Sequence, residues 1–388
     1  MQVGIGFSQL KDPAQALQEA QKKAHQELKA LQADLYLVCF TYDHSMDLEL
    51  LSSLLKRNFR SKPLLGCSTW SAWSKDHSME AESGLFVLAF RELSFEPEFL
   101  KVNSLKEKQG LWAVELARQI EDRSLSDALC LFVADSLHFH VGTKLQQIQE
   151  SMPQLPILGW STSYGIPQCS VVLNSEIYSN ALVAMAMKGV KAEAVCIQSV
   201  QIESQPIQIN RMSENLVIEI DQKPAFYRLC EHLVEVEDLP MMAQDEFRKH
   251  MGNLYLIESA EDCKNPTRFL GEAYRCISLL GSEMTTGMVA VSEAVDFSKK
   301  HYLGQKKPGY LEKNAERLLG QLREKIPHPS FVLMISAASH SRERTEGPSN
   351  LELVSKAFPP ETKIFGISSQ AEIALTQNQS SVLVIAFE

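Results

Sequence analysis

Pro63-Leu64-Leu65-Gly66-Cys67-Ser68-Thr69, Pro156-Ile157-Leu158-Gly159-Trp160-Ser161-Thr162 and Lys363-Ile364-Phe365-Gly366-Ile367-Ser368-Ser369 are one pattern met three times. In each, a short apolar run meets a glycine, one further residue and two hydroxyls. Each is preceded by another apolar run, Leu35–Phe40, Ala128–Val133 and Phe331–Ser336, and followed by a third, Leu85–Phe90, Ala181–Met187 and Val382–Phe387. Helical patterning over Asp47–Phe59, Thr143–Ser151 and Asn350–Phe358 separates the first run from the glycine. From Asp34 to Gly66 is 32 residues, from Asp127 to Gly159 again 32, and from Ser330 to Gly366 36. Ordered matches at such even spacing mark an internal repeat.

An amphipathic helix leads each unit. The first has Asp12 as N-cap, Pro13 at the first helical position, and Ala16, Ala20, Ala24, Leu28 and Leu31 on one face. The second covers Leu111–Ile120, and the third starts near Gly309 with Leu311, Ala315, Leu318 and Leu322. Strands apolar on both faces need cover on both sides, and half-exposed runs at Phe95–Lys101 and Val195–Ile197 add antiparallel partners. The expected class is α/β, with mixed β-sheets flanked by helices, built from three helix-strand-helix-strand-strand units. Residues 201–308 break the pattern. A strand at Leu216–Ile220, a turn at Asp221–Pro224, a helix from Pro224 to Val234, and strands at Leu254–Ile257 and Gly287–Val291 predict an inserted mixed subdomain.

Composition narrows the function classes. The 388 residues are 45% hydrophobic and 22% charged, which excludes general disorder. Forty-eight acidic residues against 38 basic ones give a net charge of −10, so no chain-wide nucleic-acid footprint exists. The longest apolar stretches run seven or eight residues, where a membrane span needs about 20. The first residues lack a basic and a long apolar export region. The eight cysteines form no Cys-x-x-Cys and sit mostly in apolar runs, which predicts reduced thiols and a cytoplasmic location.

The chain resembles the FIST proteins, a sensory family with an N-terminal and a C-terminal FIST domain. The resemblance rests on Gly66-Cys67-Ser68-Thr69, on the strand ending at Asp135-Ser136, on Val217–Ala225 with Tyr227, and on Phe365–Ser368 followed by Glu372-Ile373. It implies two domains, 1–200 with two units, and 201–388 with the insertion and the third unit at 309–388. It further implies a small-ligand sensor without an output domain, signalling through a separate partner. Amino acids are the ligands suggested for the family. Haem-bearing members sense nitric oxide and act on a histidine kinase, which would make haem b the cofactor here. Three positions depart from the family pattern: Ala371 and Gln222 replace glycines, and Ser336–His340 lacks the family's cysteine and arginine.

The Gly-x-Ser turns nominate Ser68, Thr69, Ser161, Thr162, Ser368 and Ser369 as ligand-binding hydroxyls, since turns at corresponding strand ends can converge on one cleft. The alternative is that these hydroxyls satisfy the backbone of a tight bend. Glu372 either receives a ligand amine or pairs structurally. His138 and His140, in a loop after an apolar strand, and His340 are the candidate haem ligands. Trp70, Ser163 and Gln370 stand where a nucleophile elbow needs its last glycine, and Gly4-Ile5-Gly6 lacks a dinucleotide fingerprint, so no enzyme is expected. The competing class is an adaptor with no small ligand.

Overall fold

The computed structural model describes residues 1–41, 48–60, 62–80, 84–108, 111–137, 145, 148, 151–152, 155–162, 169–233, 253–259, 269–270, 274–283, 285–292, 295–297, 299–307, 309–337, 349–369, 372–374, 376–378 and 381–388. The protein is α/β with mixed sheets, and it divides into two compact units. The larger comprises 1–197, 265–271 and 315–388, the smaller 198–264 and 272–314.

The larger unit holds three sheets of the same order. Each has an outer strand (Gln2–Ser8, Glu96–Asn103, Ala192–Gln198, the last flanked in parallel by Phe269–Leu270), followed by a return strand (Leu85–Arg91, Ala181–Lys188, Ser381–Phe387). Next come an entry strand (Leu35–Phe40, Leu129–Ala134, Phe331–Ala337) and a glycine strand (Leu64–Ser68, Ile157–Ser161, Lys363–Ser369). Entry and glycine strands pair in parallel, while return strands run antiparallel to the entry strands. Leading helices Pro13–Leu28, Leu111–Asp122 and Tyr310–Lys325 precede the entry strands, and inner helices Leu48–Phe59 and Asn350–Ala357 serve the first and third units. The helix expected at Thr143–Ser151 lies largely outside the described residues.

Each sheet is completed by a neighbour. The strand that leaves each glycine strand crosses into another sheet and pairs there with that sheet's glycine strand. Ser71–Ser74 crosses from the first unit to the third, Val171–Leu173 from the second to the first, and Glu372–Ala374 from the third to the second. The exchange closes into a ring. Every glycine meets the middle residue of its visitor, Gly366 facing Trp73, Gly66 facing Val172 and Gly159 facing Ile373.

Entry strands are buried at every position because both of their faces pack. Tyr36, Val38 and Phe40 meet Ala16, Leu17, Ala20 and Leu55 of the covering helices, and Cys130, Phe132 and Ala134 meet Trp112, Leu116 and Ile120. The alternate residues face the interior shared by the sheets, where Phe86 contacts Phe365 at 5.2 Å and Phe90 contacts Phe331 at 5.3 Å. The first leading helix starts at Asp12, whose carboxylate accepts the Gln15 N–H at 2.8 Å, and ends at Lys29 in a left-handed conformation. Leading helices also cover exposed strand edges. Lys23 Nζ donates to Phe7 O at 3.0 Å and Glu27 accepts the Ile5 N–H; Gln119 and Arg123 donate to Lys101 O and Phe99 O at 2.9 and 2.8 Å.

The smaller unit is an antiparallel sheet on the path Val200–Ile202, His301–Lys306, Leu254–Ser259, Tyr274–Glu283, Met288–Val291, Leu216–Ile220, Ile209–Ser213, with the helix Ala225–Leu233 packed on it. The third unit's outer strand, Ala192–Gln198, precedes the smaller unit in the chain, while its leading helix, Tyr310–Lys325, follows. Within the smaller unit, buried Glu258 stands directly between Arg275 and His301 on the adjacent strands. Lys299 Nζ and Arg275 Nη1 each approach its carboxylate to 3.5 Å, and the Asp296 N–H donates to it at 3.0 Å. Burial alone would raise this carboxyl; the His301 ring at 3.9 Å and the two cations hold it down at about 2. Among the described residues no helix is long and apolar enough to cross a membrane.

Candidate functional site

The glycine strands end where the crossing strands begin, and this geometry gathers the hydroxyls nominated from sequence. An added Cβ at Gly366 would lie 2.0 Å from the Trp73 indole nitrogen, so glycine is what lets the crossing strand lie flat. At Gly159, where φ is +152°, a Cβ would meet Phe132 O at 2.1 Å. Beyond the glycines, Ser68, Thr69, Ser161, Thr162, Ser368 and Ser369 are all at most 1% exposed.

These hydroxyls bind one another's backbones. Thr69 Oγ1 reaches Ser368 O at 2.8 Å, with Ser71 O at 2.9 Å, and Ser369 Oγ donates to Ser161 O at 2.9 Å. Thr162 Oγ1 accepts the Ser136 N–H at 3.1 Å and lies 3.3 Å from Ser136 Oγ, which is 3.2 Å from Cys169 Sγ. Next to Cys169, the Ser170 N–H donates to Ser68 Oγ at 2.9 Å. With the covalent links between neighbours, these contacts make a closed loop through all three units. The turns converge on each other, and Thr69, Ser369, Thr162 and Ser68 hydrogen-bond backbone groups there.

The same junction holds a thiol pair. Cys39 and Cys67 face each other across the parallel pair, and the Trp160 indole N–H donates to Cys67 Sγ at 3.2 Å. Burial, then the neighbouring thiol, pushes Cys39 well above the ordinary thiol range, which leaves it inert as a nucleophile. Glu372 starts the third crossing strand, its backbone opposite Trp160. His138, His140 and His340 lie outside the described residues.

A cleft of about 670 Å³ opens beside this junction, at the C-terminal ends of the parallel strands. Ligands of open α/β sheets bind at such ends. One wall is the first inner helix, through Leu48, Glu49, Ser52, Ser53 and Lys56. The other comprises Asp135 and Leu137 after the second entry strand, Cys169 and Ser170 before the crossing strand, and the hairpin residues Ile177–Ser179. None of the six nominated hydroxyls lines it; Ser170, bonded to Ser68, is the link between the two places.

Asp135 shapes this cleft. Its Oδ1 accepts the Leu137 N–H at 2.8 Å and its Oδ2 the Asn180 N–H at 2.6 Å, pinning the return strand to the end of the entry strand. Thr41 does the same in the first unit, exchanging hydrogen bonds with Gly84 at 2.8 and 3.3 Å. Lys56 lies 3.5 Å from Glu176, whose carboxyl is held low by the Tyr178 hydroxyl and then by Lys56. Burial raises the Tyr178 phenol, and Lys101 stacks over its ring at 4.1 Å. The walls can therefore offer hydroxyls, two carboxylates (Glu49 and Asp135) and one ammonium (Lys56) to a small polar molecule. No group of three or more metal-ligating side chains occurs among the described residues. Sequence reasoning missed Glu49, Ser52, Ser53 and Lys56, although their spacing of three or four marks one polar helical face.

No curated protein matches the chain. The family model of the FIST N domain matches residues 34–223, a span that contains the entry, glycine and return strands of the first two units and every described residue of the cleft. The protein is a FIST-domain protein.

Proposed function

We propose that this protein is a signal-transduction receptor module that holds a small polar ligand in the cleft, without turnover, and passes its bound state to a separately encoded partner. The observation that carries the reading is the cleft itself, placed at the strand ends of the matched domain and lined by groups of opposite charge. Glu49 and Lys56 stand two helical turns apart on one wall, with serine hydroxyls between them. That array suits a zwitterion such as a free amino acid.

A haem-dependent version, with nitric oxide as signal and a histidine kinase as partner, calls for a proximal imidazole and apolar walls. The described walls carry Glu49, Ser52, Ser53, Lys56, Asp135, Ser170 and Ser179 and no imidazole, which supports the polar ligand over the porphyrin. His138, His140 and His340, the histidines nominated for iron, lie outside the described residues.

A thermal-shift screen of the amino acids tests the reading. A ligand present at a hundredfold its Kd adds about 2.7 kcal/mol, which raises the midpoint by roughly 3–5 °C. Ser53→Trp fills the cleft and should abolish the shift while leaving the far-ultraviolet spectrum unchanged. A shift that survives Ser53→Trp places the ligand elsewhere. A Soret band in the purified protein would favour the haem version instead.

A further inference from the structure

The interior shared by the three sheets is not packed alike at its two ends. Near the glycine-strand ends it is filled, with the Trp160 indole on Cys67 and Phe86 on Phe365. Toward the start of the entry strands it contains a void of about 30 Å³ whose lining exposes no polar surface. Leu37, Leu131 and Leu333 reach it from the first, second and third sheets, and Met185 and Met187 from the second return strand.

The volume exceeds the ~10–15 Å³ that a water molecule needs, but a water there finds no hydrogen-bond partner, and such voids stay dry. Atoms lining a dry void lack neighbours on one side, and an apolar guest restores those contacts. The thioether side chains can adapt to a guest where branched residues cannot. Access is also built in. Leu37, Leu131 and Leu333 are at most 4% exposed, whereas Met1 and Phe95, which complete the lining, are only half-buried and stand at its outer side.

We propose that this void is a second binding site, distinct from the polar cleft, for an apolar molecule of one to three heavy atoms, such as a dissolved gas or a short hydrocarbon, admitted past Met1 and Phe95. The size limit follows from the volume; a larger guest must displace both gate residues. The proposal does not depend on what occupies the cleft.

Xenon is the probe. In protein carrying ¹³C-methyl methionine, xenon pressure should shift the Met185 and Met187 methyl resonances along a saturating curve. Met152, buried in the core on the helix side of the second sheet, should hold still. Leu333→Phe and, independently, Leu131→Phe fill the void from two different sheets, and each should cut the xenon response at least tenfold. If one of them fails to fold, the other carries the comparison. Benzene should leave both methyls unmoved. A response that is linear in pressure and shared by Met152, or one that persists in a folded filling variant, overturns the site; a benzene response equal to that of xenon overturns its size limit.

Discussion

Replacing Gly366 by alanine tests the strand exchange that closes the three sheets into a ring. The new methyl would stand 2.0 Å from Trp73 Nε1 and 2.3 Å from Cε2, where carbon contacts settle at about 3.5–4.0 Å. The indole must therefore withdraw by roughly 1.5 Å. Trp73 is the middle of the three residues by which the visiting strand pairs, Phe365–Ser74, Gly366–Trp73 and Ile367–Ala72. Overpacking of this kind costs about 1–3 kcal/mol, and each backbone hydrogen bond lost with the strand adds about 1 kcal/mol. The expected loss is therefore about 2–4 kcal/mol, read by urea unfolding. Hydrogen exchange should quicken across residues 71–80. Trp73→Ala removes the obstacle, so the double variant should recover at least ~1 kcal/mol relative to additivity. A Gly366→Ala protein within about 0.5 kcal/mol of wild type, with exchange over 71–80 unchanged, would refute the pairing.

Three further outcomes follow from other contacts. Thr69→Val keeps the shape but leaves the buried Ser368 carbonyl short of a donor; it should cost about 1–2 kcal/mol, as should Ser369→Ala, and the two losses should combine non-additively in a double-mutant cycle. Glu258 ionises at about 2 in the fold against its ordinary 4.5, so its stabilisation is complete above pH ~4.5 and is lost as pH falls toward 2. Acid unfolding of the smaller unit should show that loss, about 3 kcal/mol in extent, and Glu258→Gln should flatten it. Cys130, pushed up to about 12 by burial, and Cys39 should react with a thiol reagent at pH 8 at least a hundredfold more slowly in native than in denatured protein; rapid native labelling would contradict the sealed interior.

The entry and glycine strands were readable because runs such as Leu35–Phe40 and Leu64–Gly66 are apolar on both faces, and only a covered sheet accommodates that. The leading helices declared themselves through period and caps, as at Asp12 and Pro13. The exchange was not readable. Val171–Leu173 and Ser71–Ser74 are three- and four-residue strands whose composition suits any apolar neighbour, and nothing local names the sheet that receives them. For the same reason the Gly-x-Ser turns pointed to this junction without naming the strands that meet there. A glycine that admits a ligand and one that admits a neighbouring strand look identical in sequence. The cleft residues were hidden differently: Asp135 and Ser170 are 135 and 170 residues along the chain, and only the visit of Val171–Leu173 to the first sheet brings them to one wall.

The crossing of Ser71–Ser74 to the third sheet also sets a clock. The contact between Thr69 and Ser368 spans 299 residues. A ribosome adding about 5–20 residues per second needs roughly 15–60 s to cover that distance. Throughout that interval the 71–80 hairpin has emerged but its receiving strand does not exist. The first sheet also lacks Val171–Leu173 until the second unit is made. No sheet of the larger unit can therefore mature alone during synthesis, and the nascent chain carries open strand edges until its final fifty residues are in place. A truncation at the end of the second unit should leave an aggregating fragment and not a smaller folded protein.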